Sequence, residues 1–427
     1  MKVAFCTLGC KVNQYESQSM EQALIKRGFE CVEASEEADV YIVNSCTVTA
    51  ESDRKTRQNV RHLRKLHPDA VIVLTGCMPQ AFPEDARLLT QADIVTGNRS
   101  NKQIPDMIDE FFRTRERIVR IAQHENGEKF SGELINDFRE RTRATVKIED
   151  GCNRFCSYCV IPYARGRVRS KPLEDIREEI ASLEKKGFSE IVLVGINLSA
   201  YGTDCGASIC DAVELAASFD GIKRVRLGSL EPDHMTPDVT KRLAECKKLC
   251  PQFHISLQSG CDKTLKRMNR HYTVAEYEEL CTRLRSEFED TTLTTDVMVG
   301  FSGETKEDFE ISRDFVKKIG FEKVHVFPYS RRAGTRAAEF PDVVENAEKE
   351  RRSREMIAAA GEVRHEFLER QIGKTVEVLF EEKLRDGSIQ GYTANYTPVR
   401  IKSGCTHGLR KVKITACGDD WCEGELI

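Results

Sequence analysis

Three cysteines crowd into the stretch GCNRFCSYC, residues 151–159: Cys152, Cys156 and Cys159, spaced Cys-x3-Cys-x2-Cys. Thiolates at that density on one turn make a clamp for an iron–sulfur cluster. A ferredoxin-type run would bring a fourth cysteine close by; here the next is Cys205, beyond reach of the same loop. Three protein ligands leave one iron open, and an open iron is a place for chemistry rather than electron storage. The alternatives are a zinc knuckle, which wants four protein ligands, often in two Cys-x2-Cys halves, and cysteines that cluster by chance.

A second set emerges from the elements at the amino terminus. KVAFCTL, DVYIVNS, AVIVLTG and ADIVTG are short, β-branched runs of strand length. Helical stretches such as NQYESQSMEQALIKRG separate them, with Tyr15, Met20, Leu24 and Ile25 near helical spacing. That alternation predicts a parallel sheet with helices on its faces over residues 1–115. Cys10 follows the first strand, Cys46 the second and Cys77 the third. Ligands of open parallel sheets sit outside the carboxyl ends of the strands, so the three thiols gather there and suggest a second three-ligand cluster. Three separately buried cysteines are the alternative. Cys6, inside the first strand, reads as core or neighbour.

Residues 54–67, RKTRQNVRHLRKLH, hold a run of bases without an acid, suited to phosphates or to a solvated helix face. Residues 116–140 are polar and weakly periodic and read as a linker. From 141 to 369 the pattern is strand then helix, six times, with no hairpin signal, which predicts a partial (β/α)6 barrel. The cluster loop follows its first strand, where barrel sites lie. Other strand ends become candidates by position: Gly195 and Asn197, Ser229 and Glu231, and Gln258, with Asp296 inside the fifth strand. A close-approach glycine suits an amino-acid moiety, and Glu231 can accept from ribose hydroxyls. A charged helix over 343–369 leads to a small β-domain, residues 370–427. There Val399, Ile401, Val412 and Ile414 alternate with Arg400, Lys402, Lys411 and Lys413. A small barrel with basic outward residues, and Tyr392 and Tyr396 nearby, suits RNA phosphates and base stacking. Cys246, Cys250, Cys405, Cys417 and Cys422 lack zinc spacing and read as structural.

The cluster stretch resembles the signature of the radical S-adenosylmethionine (SAM) superfamily, with the aromatic Tyr158 before its last cysteine. CTLGCKVNQYES (residues 6–17), NSCTVT (44–49) and TGC (75–77) resemble the methylthiotransferase family, in its MtaB-type branch acting on tRNA that carries threonylcarbamoyladenosine. The resemblance spans the whole chain, its last part being similar to a TRAM domain. It implies two [4Fe-4S] clusters, on Cys152, Cys156 and Cys159 and on Cys10, Cys46 and Cys77. It also implies SAM near Tyr158, Gly195, Asn197, Ser229, Glu231 and Gln258, and a methylthio group added to carbon 2 of N6-threonylcarbamoyladenosine at position 37, beside the anticodon. One SAM would supply the methyl group and a second the radical. The implied partners are the tRNA anticodon stem-loop and an electron donor such as flavodoxin or ferredoxin. The family's GFPGE reads GFSGE here (Ser302) and its RPGT reads RAGT (Ala333); each softens a turn without removing a ligand. Two alternative targets are isopentenyl-adenosine in tRNA and an aspartate of a ribosomal protein. A third reading is a non-catalytic iron–sulfur RNA-binding redox sensor.

Bulk composition agrees with this frame. At 427 residues, 40% hydrophobic and 31% charged, the chain is expected to be soluble with proper cores. No run reaches the roughly 18 apolar residues of a membrane span, and the amino terminus reads as no secretory signal. Seventeen cysteines without such a signal suggest metal or redox chemistry in a reducing cytosol, so the expected location is cytoplasmic, away from membranes. A net charge of -4 does not by itself suggest nucleic acid.

Overall fold

The computed structural model describes residues 1–132, 135, 142–404 and 408–427, so Cys405 and the expected domain start at 141 lie outside the described residues. Strands β1 (Lys2–Thr7), β2 (Glu30–Val32), β3 (Val40–Ser45), β4 (Val71–Gly76), β5 (Ile94–Thr96) and β6 (Ile118–Arg120) form one sheet. Its order is β2-β1-β3-β4-β5-β6 and every pairing is parallel. The sixth strand corrects the expected boundary at 115: Ile118 is buried on the sheet, and the Ile118 N–H donates to the Asp93 carbonyl at 2.8 Å. A three-residue strand is too short for periodicity to reveal. Both faces are covered. Val3, Ile42, Val73 and Ile94 pack towards Met20 and Leu24, whereas Tyr41, Ile72 and Leu74 pack towards Val60 and Leu63. Val60 and Leu63 lie on the helix Ala50–Leu66, whose cap is Thr49, its hydroxyl accepting from the Ser52 N–H at 3.1 Å. The buried stripe Asp53, Thr56, Val60 and Leu63 leaves Arg54, Lys55, Arg61 and Lys65 on the exposed side.

The second part contains β7 (Arg143–Lys147), β8 (Glu149–Asp150), β9 (Arg169–Ser170), β10 (Glu190–Val194), β11 (Arg224–Leu227), β12 (Ser229–Leu230), β13 (Gln252–Ile255), β14 (Thr292–Val299) and β15 (Lys323–Pro328). Strands β7, β10 and β11 pair in parallel, as do β12 to β15 in sequence order. Only Gly228 separates β11 from β12, so the six expected β/α units are present as two arcs. The expectation of no hairpin is corrected at one point, since β8 and β9 pair antiparallel around the loop that carries Cys152, Cys156 and Cys159. Leu193, Leu227, Phe253 and Val297 belong to a core packed against the surrounding helices.

The helix Asn346–Glu369 leads to a closed barrel of β16 (Thr375–Lys383), β17 (Ile389–Thr393), β18 (Pro398–Ile401), β19 (Gly408–Cys417) and β20 (Cys422–Leu426), closed in the order β16-β17-β18-β20-β19. Its interior is Val378, Phe380, Val399, Ile401, Val412 and Ile414. The period-two pattern therefore points inward and outward as the sequence indicates. Among the described residues no helix is long and apolar enough to cross a membrane.

Candidate functional site

The loop between β8 and β9 is held at several points. The Cys152 N–H donates to the Gly166 carbonyl at 3.0 Å, the Ser157 N–H to the Met268 carbonyl at 2.9 Å, and Asn269 Nδ2 to the Phe155 carbonyl at 3.1 Å. Cys156 is buried and Cys152 and Cys159 are half-buried. Burial pushes the Cys152 thiol up to about 12 and the Cys159 thiol higher still, with the Cys156 thiol adding to both. A guanidinium partly offsets this crowding, Arg270 donating to Cys156 Sγ at 3.2 Å. Arg270 is itself fixed by both carboxylate oxygens of Glu231. Glu231 is thus engaged by a buried arginine that needs a carboxylate, while each of its oxygens keeps a lone pair that can accept a further hydrogen bond.

Cys10, Cys46 and Cys77 stand just past β1, β3 and β4, three adjacent strands of the first sheet. Cys46 and Cys77 are buried and Cys10 is exposed. Gly9 lets the chain approach: a Cβ there, at φ +122, would lie 2.9 Å from Cys46 Cβ. Burial pushes the Cys77 thiol up to about 12, with Arg165 opposing the rise and Cys46 and Cys10 adding to it. Arg165 is fully buried, at 0% exposure, and donates to Cys77 Sγ at 3.2 Å. It also holds Glu16 Oε1 at 2.5 Å and Oε2 at 3.0 Å. Lys147 completes the network, at 2.8 Å from Glu16 and 2.7 Å from Asp150. Arg165 closes the short helix Ile161–Arg165 directly after the first cysteine loop, so the chain that leaves that loop sends a side chain to the second trio at Cys77. The basic run YARGRVRSK was its only sequence signal.

Each trio of thiols interacts within itself, yet among the described residues no three His, Cys, Asp or Glu side chains gather around a single metal ion. Two trios of partly buried thiols, each with a buried guanidinium at one sulfur, fit the corners of larger clusters with hydrogen-bonded sulfurs.

Beside the first trio, Glu149 Oε2 accepts from the Asn197 N–H at 2.7 Å, while Glu149 Oε1 is buried without a hydrogen-bond partner among the described residues. Burial pushes this carboxyl up to about 8, against the backbone N–H groups of Asn197 and Ile196. A Cβ on Gly195 would fall 2.5 Å from Glu149 Oε2, and Asn197 Nδ2 reaches Cys152 Sγ at 3.8 Å. An orphaned buried carboxyl oxygen next to an open cysteine loop suits a ligand with a cationic amine, as SAM has. Sequence reasoning missed Glu149; its signal was an acid at a strand end just before the cluster loop. Tyr158 packs edge-on to Phe301 with centroids 6.3 Å apart. Gln258 takes a left-handed φ of 64, its N–H donating to the Asp296 carbonyl at 2.8 Å.

The three parts of the chain meet around a cleft of about 940 Å³. Cys10 and Lys11 border it from the first part, Gly195, Ser229 and Asp296 from the second, Arg400 and Trp421 from the third. Arg400 stacks over Trp421 at 3.6 Å, and Tyr392 and Tyr396 stack on each other at 4.5 Å and 16°. Of the four expected RNA-contacting bases, Arg400 alone borders this cleft. Lys402 lines a neighbouring depression with Glu423 and Glu425, and Lys411 and Lys413 are exposed one strand further round, because β20 lies between β18 and β19.

Comparison with known proteins matches residues 2–97 to the profile described as "Uncharacterized protein family UPF0004" and residues 146–316 to the Radical SAM superfamily. The chain is similar to the threonylcarbamoyladenosine tRNA methylthiotransferase MtaB of Bacillus subtilis, 35% identical over 100% of this chain and 96% of that protein. It is also similar to the tRNA-2-methylthio-N(6)-dimethylallyladenosine synthase of Caldicellulosiruptor saccharolyticus, 32% identical over 99% of this chain and 91% of the other. Among solved structures, the radical SAM methyltransferase TsrM from Kitasatospora setae superposes with a TM-score of 0.56 at 14% identity, covering 77% of this chain and 74% of that one, a likeness of fold.

Proposed function

The chain belongs to the radical SAM tRNA methylthiotransferases, and from that premise we propose that its substrate is N6-threonylcarbamoyladenosine at tRNA position 37, methylthiolated at carbon 2. Family membership already carries SAM and a [4Fe-4S] cluster. In this reading Cys152, Cys156 and Cys159 would hold that cluster, and Cys10, Cys46 and Cys77 a second. The carbon 2 hydrogen has no useful acidity, so a base cannot open the bond. When bound, the clusters and two SAM molecules supply one-electron removal of that hydrogen, the sulfur and the methyl group. An electron donor such as flavodoxin or ferredoxin completes the reading.

The chain's own work is placement. Glu149, Gly195 and Asn197 would hold the amino-acid end of SAM, with Tyr158 and Gln258 alongside. Arg165 and Arg270 set the charge at one sulfur of each trio. Arg400 and Trp421 offer phosphate pairing and stacking to the nucleotides that flank the modified base.

The observation that carries the choice of substrate is the character of the cleft. The B. subtilis relative is named for a threonylcarbamoyl group and the C. saccharolyticus relative for a dimethylallyl group. The first carries a carboxylate and a hydroxyl; the second is a hydrocarbon. Apolar side chains such as Val12, Leu227, Phe327 and Trp421 also line the cleft, so what favours the first group is the presence there of Lys11, Lys323 and Arg400, cations that its carboxylate can pair and a hydrocarbon cannot.

The decisive experiment is mass spectrometry of nucleosides from tRNA incubated anaerobically with reconstituted enzyme, SAM, sulfide and a low-potential reductant. A methylthio gain on threonylcarbamoyladenosine is expected. The gain on dimethylallyl-adenosine instead would keep the chemistry and overturn the substrate. SAM cleavage with no gain on any nucleoside would move the target to a protein.

A further inference from the structure

We propose that Lys11 is the centre of an anion subsite in the inter-domain cleft, one that takes the threonyl carboxylate of the modified nucleoside; this rests on the substrate reading above.

Charge pairing inside the cleft is one-sided. Its carboxylates are already engaged: Asp296 meets His254 at 3.2 Å, and Arg364 meets both Glu322 at 2.5 Å and Asp420 at 2.9 Å. Three cations that line the same cleft, Lys11, Lys323 and Arg400, form no ion pair among the described residues. The surplus among these lining residues is positive.

Of these three, Lys11 has the surroundings of a subsite. Its side chain is exposed to the cleft, yet the charged groups nearest to it are mostly cationic or already satisfied. The Tyr396 phenol, Arg143 and Arg226 are close, and among the described residues two carboxylates are near: Glu381 lines a depression with Lys11, and Glu190 is shared among arginines, Arg226 at 3.0 Å, Arg224 at 3.7 Å and Arg143 at 3.8 Å. Arg143 also holds Glu381 at 2.6 Å. An incoming carboxylate would find in Lys11 an ammonium that forms no ion pair among the described residues, beside carboxylates that arginines already hold. In a walled cleft that interaction is worth more than on an open surface.

Position supports the same assignment. Lys11 is the residue after Cys10, so its Cα lies about 3.8 Å from that of a proposed ligand of the cluster that would serve carbon 2. The threonylcarbamoyl group hangs from N6, across one edge of the same purine ring. A lysine side chain beginning beside Cys10 can therefore span from the reacting edge to the substituent. Arg400 and Lys323 border the cleft from the third part and the last barrel strand, where backbone phosphates are the nearer anions.

The test uses reconstituted holoenzyme and two anticodon stem-loop RNAs. One carries threonylcarbamoyladenosine; the other carries its methyl ester, which keeps the shape and removes the charge. Dissociation constants are read anaerobically by fluorescence anisotropy, and iron and sulfide content are measured on each protein sample. The wild type is expected to bind the acid at least tenfold more tightly than the ester. Lys11→Met is expected to bind both alike at the ester's affinity, and Lys11→Arg to restore most of the preference. Equal binding of acid and ester by the wild type would overturn the subsite, whatever the variants do. A preference that persists in Lys11→Met with full iron content would overturn the role of Lys11. Failure of the substrate reading looks different: the wild type would then methylthiolate dimethylallyl-adenosine and leave threonylcarbamoyladenosine unchanged.

Discussion

At the scale of single residues, Arg165 has the most to lose. Its guanidinium has 0% exposure and is divided between Cys77, Glu16 and Asp150, the last at 3.4 Å. Removing one member of a buried charge network strands the others, at a cost of about 3–5 kcal/mol. Arg165→Leu is accordingly expected to lower the unfolding free energy of the metal-free chain by roughly that amount. It should also reduce iron retention at the amino-terminal trio more than at the loop trio. Arg165→Lys keeps the charge, loses the fork, and should fall between the two. Urea unfolding and iron analysis read both effects; a Leu variant indistinguishable from wild type would show that Arg165 holds nothing together. The loop trio stood out by cysteine spacing alone, and Cys10, Cys46 and Cys77 by each following a predicted strand. Arg165, Glu149 and Lys11 did not, because each matters through a neighbour more than a hundred residues away or through the lack of one. Glu231 is a further case, since its position along the chain gave no sign of its pairing with Arg270.

At the scale of elements, the turn at Gly151 decides whether the loop trio can form. Its φ is +88, and a Cβ there would stand 1.9 Å from the Arg167 carbonyl oxygen, in the crossing between β8 and β9. Both the left-handed backbone and the contact exclude a side chain, and neither a positive φ nor a backbone clash can be accommodated cheaply. Gly151→Ala should shift the loop and cut reductive SAM cleavage more than tenfold, while the cluster proposed on Cys10, Cys46 and Cys77 should keep its iron. Rapid anaerobic assay of 5′-deoxyadenosine, alongside iron analysis, would reveal it; normal cleavage by the variant would mean the turn tolerates a methyl group. The strand-and-helix order was readable from hydrophobic periodicity in both α/β parts. Strand β6 and the β8–β9 pairing escaped because two or three residues carry no period. The outward bases of the last barrel were assigned to a face correctly. Sequence could not tell which face meets the cleft, since that depends on β20 passing between β18 and β19.

At the scale of the whole molecule, the cleft exists because the last barrel is docked against the first edge of the second part. Arg226 NH1 donates to the Ala394 carbonyl at 2.9 Å and its guanidinium lies 4.7 Å from the Tyr396 ring. Arg224 NH2 donates to the Glu377 carbonyl at 3.0 Å, and its NH1 to the Tyr392 carbonyl at 3.3 Å. Arg224→Ala combined with Arg226→Ala is expected to loosen this docking. Limited proteolysis near residues 370–374 should then release the barrel sooner, and affinity for the stem-loop should fall about tenfold, or roughly 1.4 kcal/mol. An unchanged digestion pattern would place the docking energy elsewhere. Three domains were foreseeable from composition and resemblance, but their mutual arrangement was not, since it rests on pairings with no local signature. The grip of Arg224 and Arg226 is largely on main-chain carbonyls, groups that every amino acid presents alike. Substitution along the barrel's surface can therefore alter which nucleotides it prefers while leaving its seat intact. Barrels from related enzymes should be interchangeable parts, grafted at the end of the long helix and still closing the same cleft.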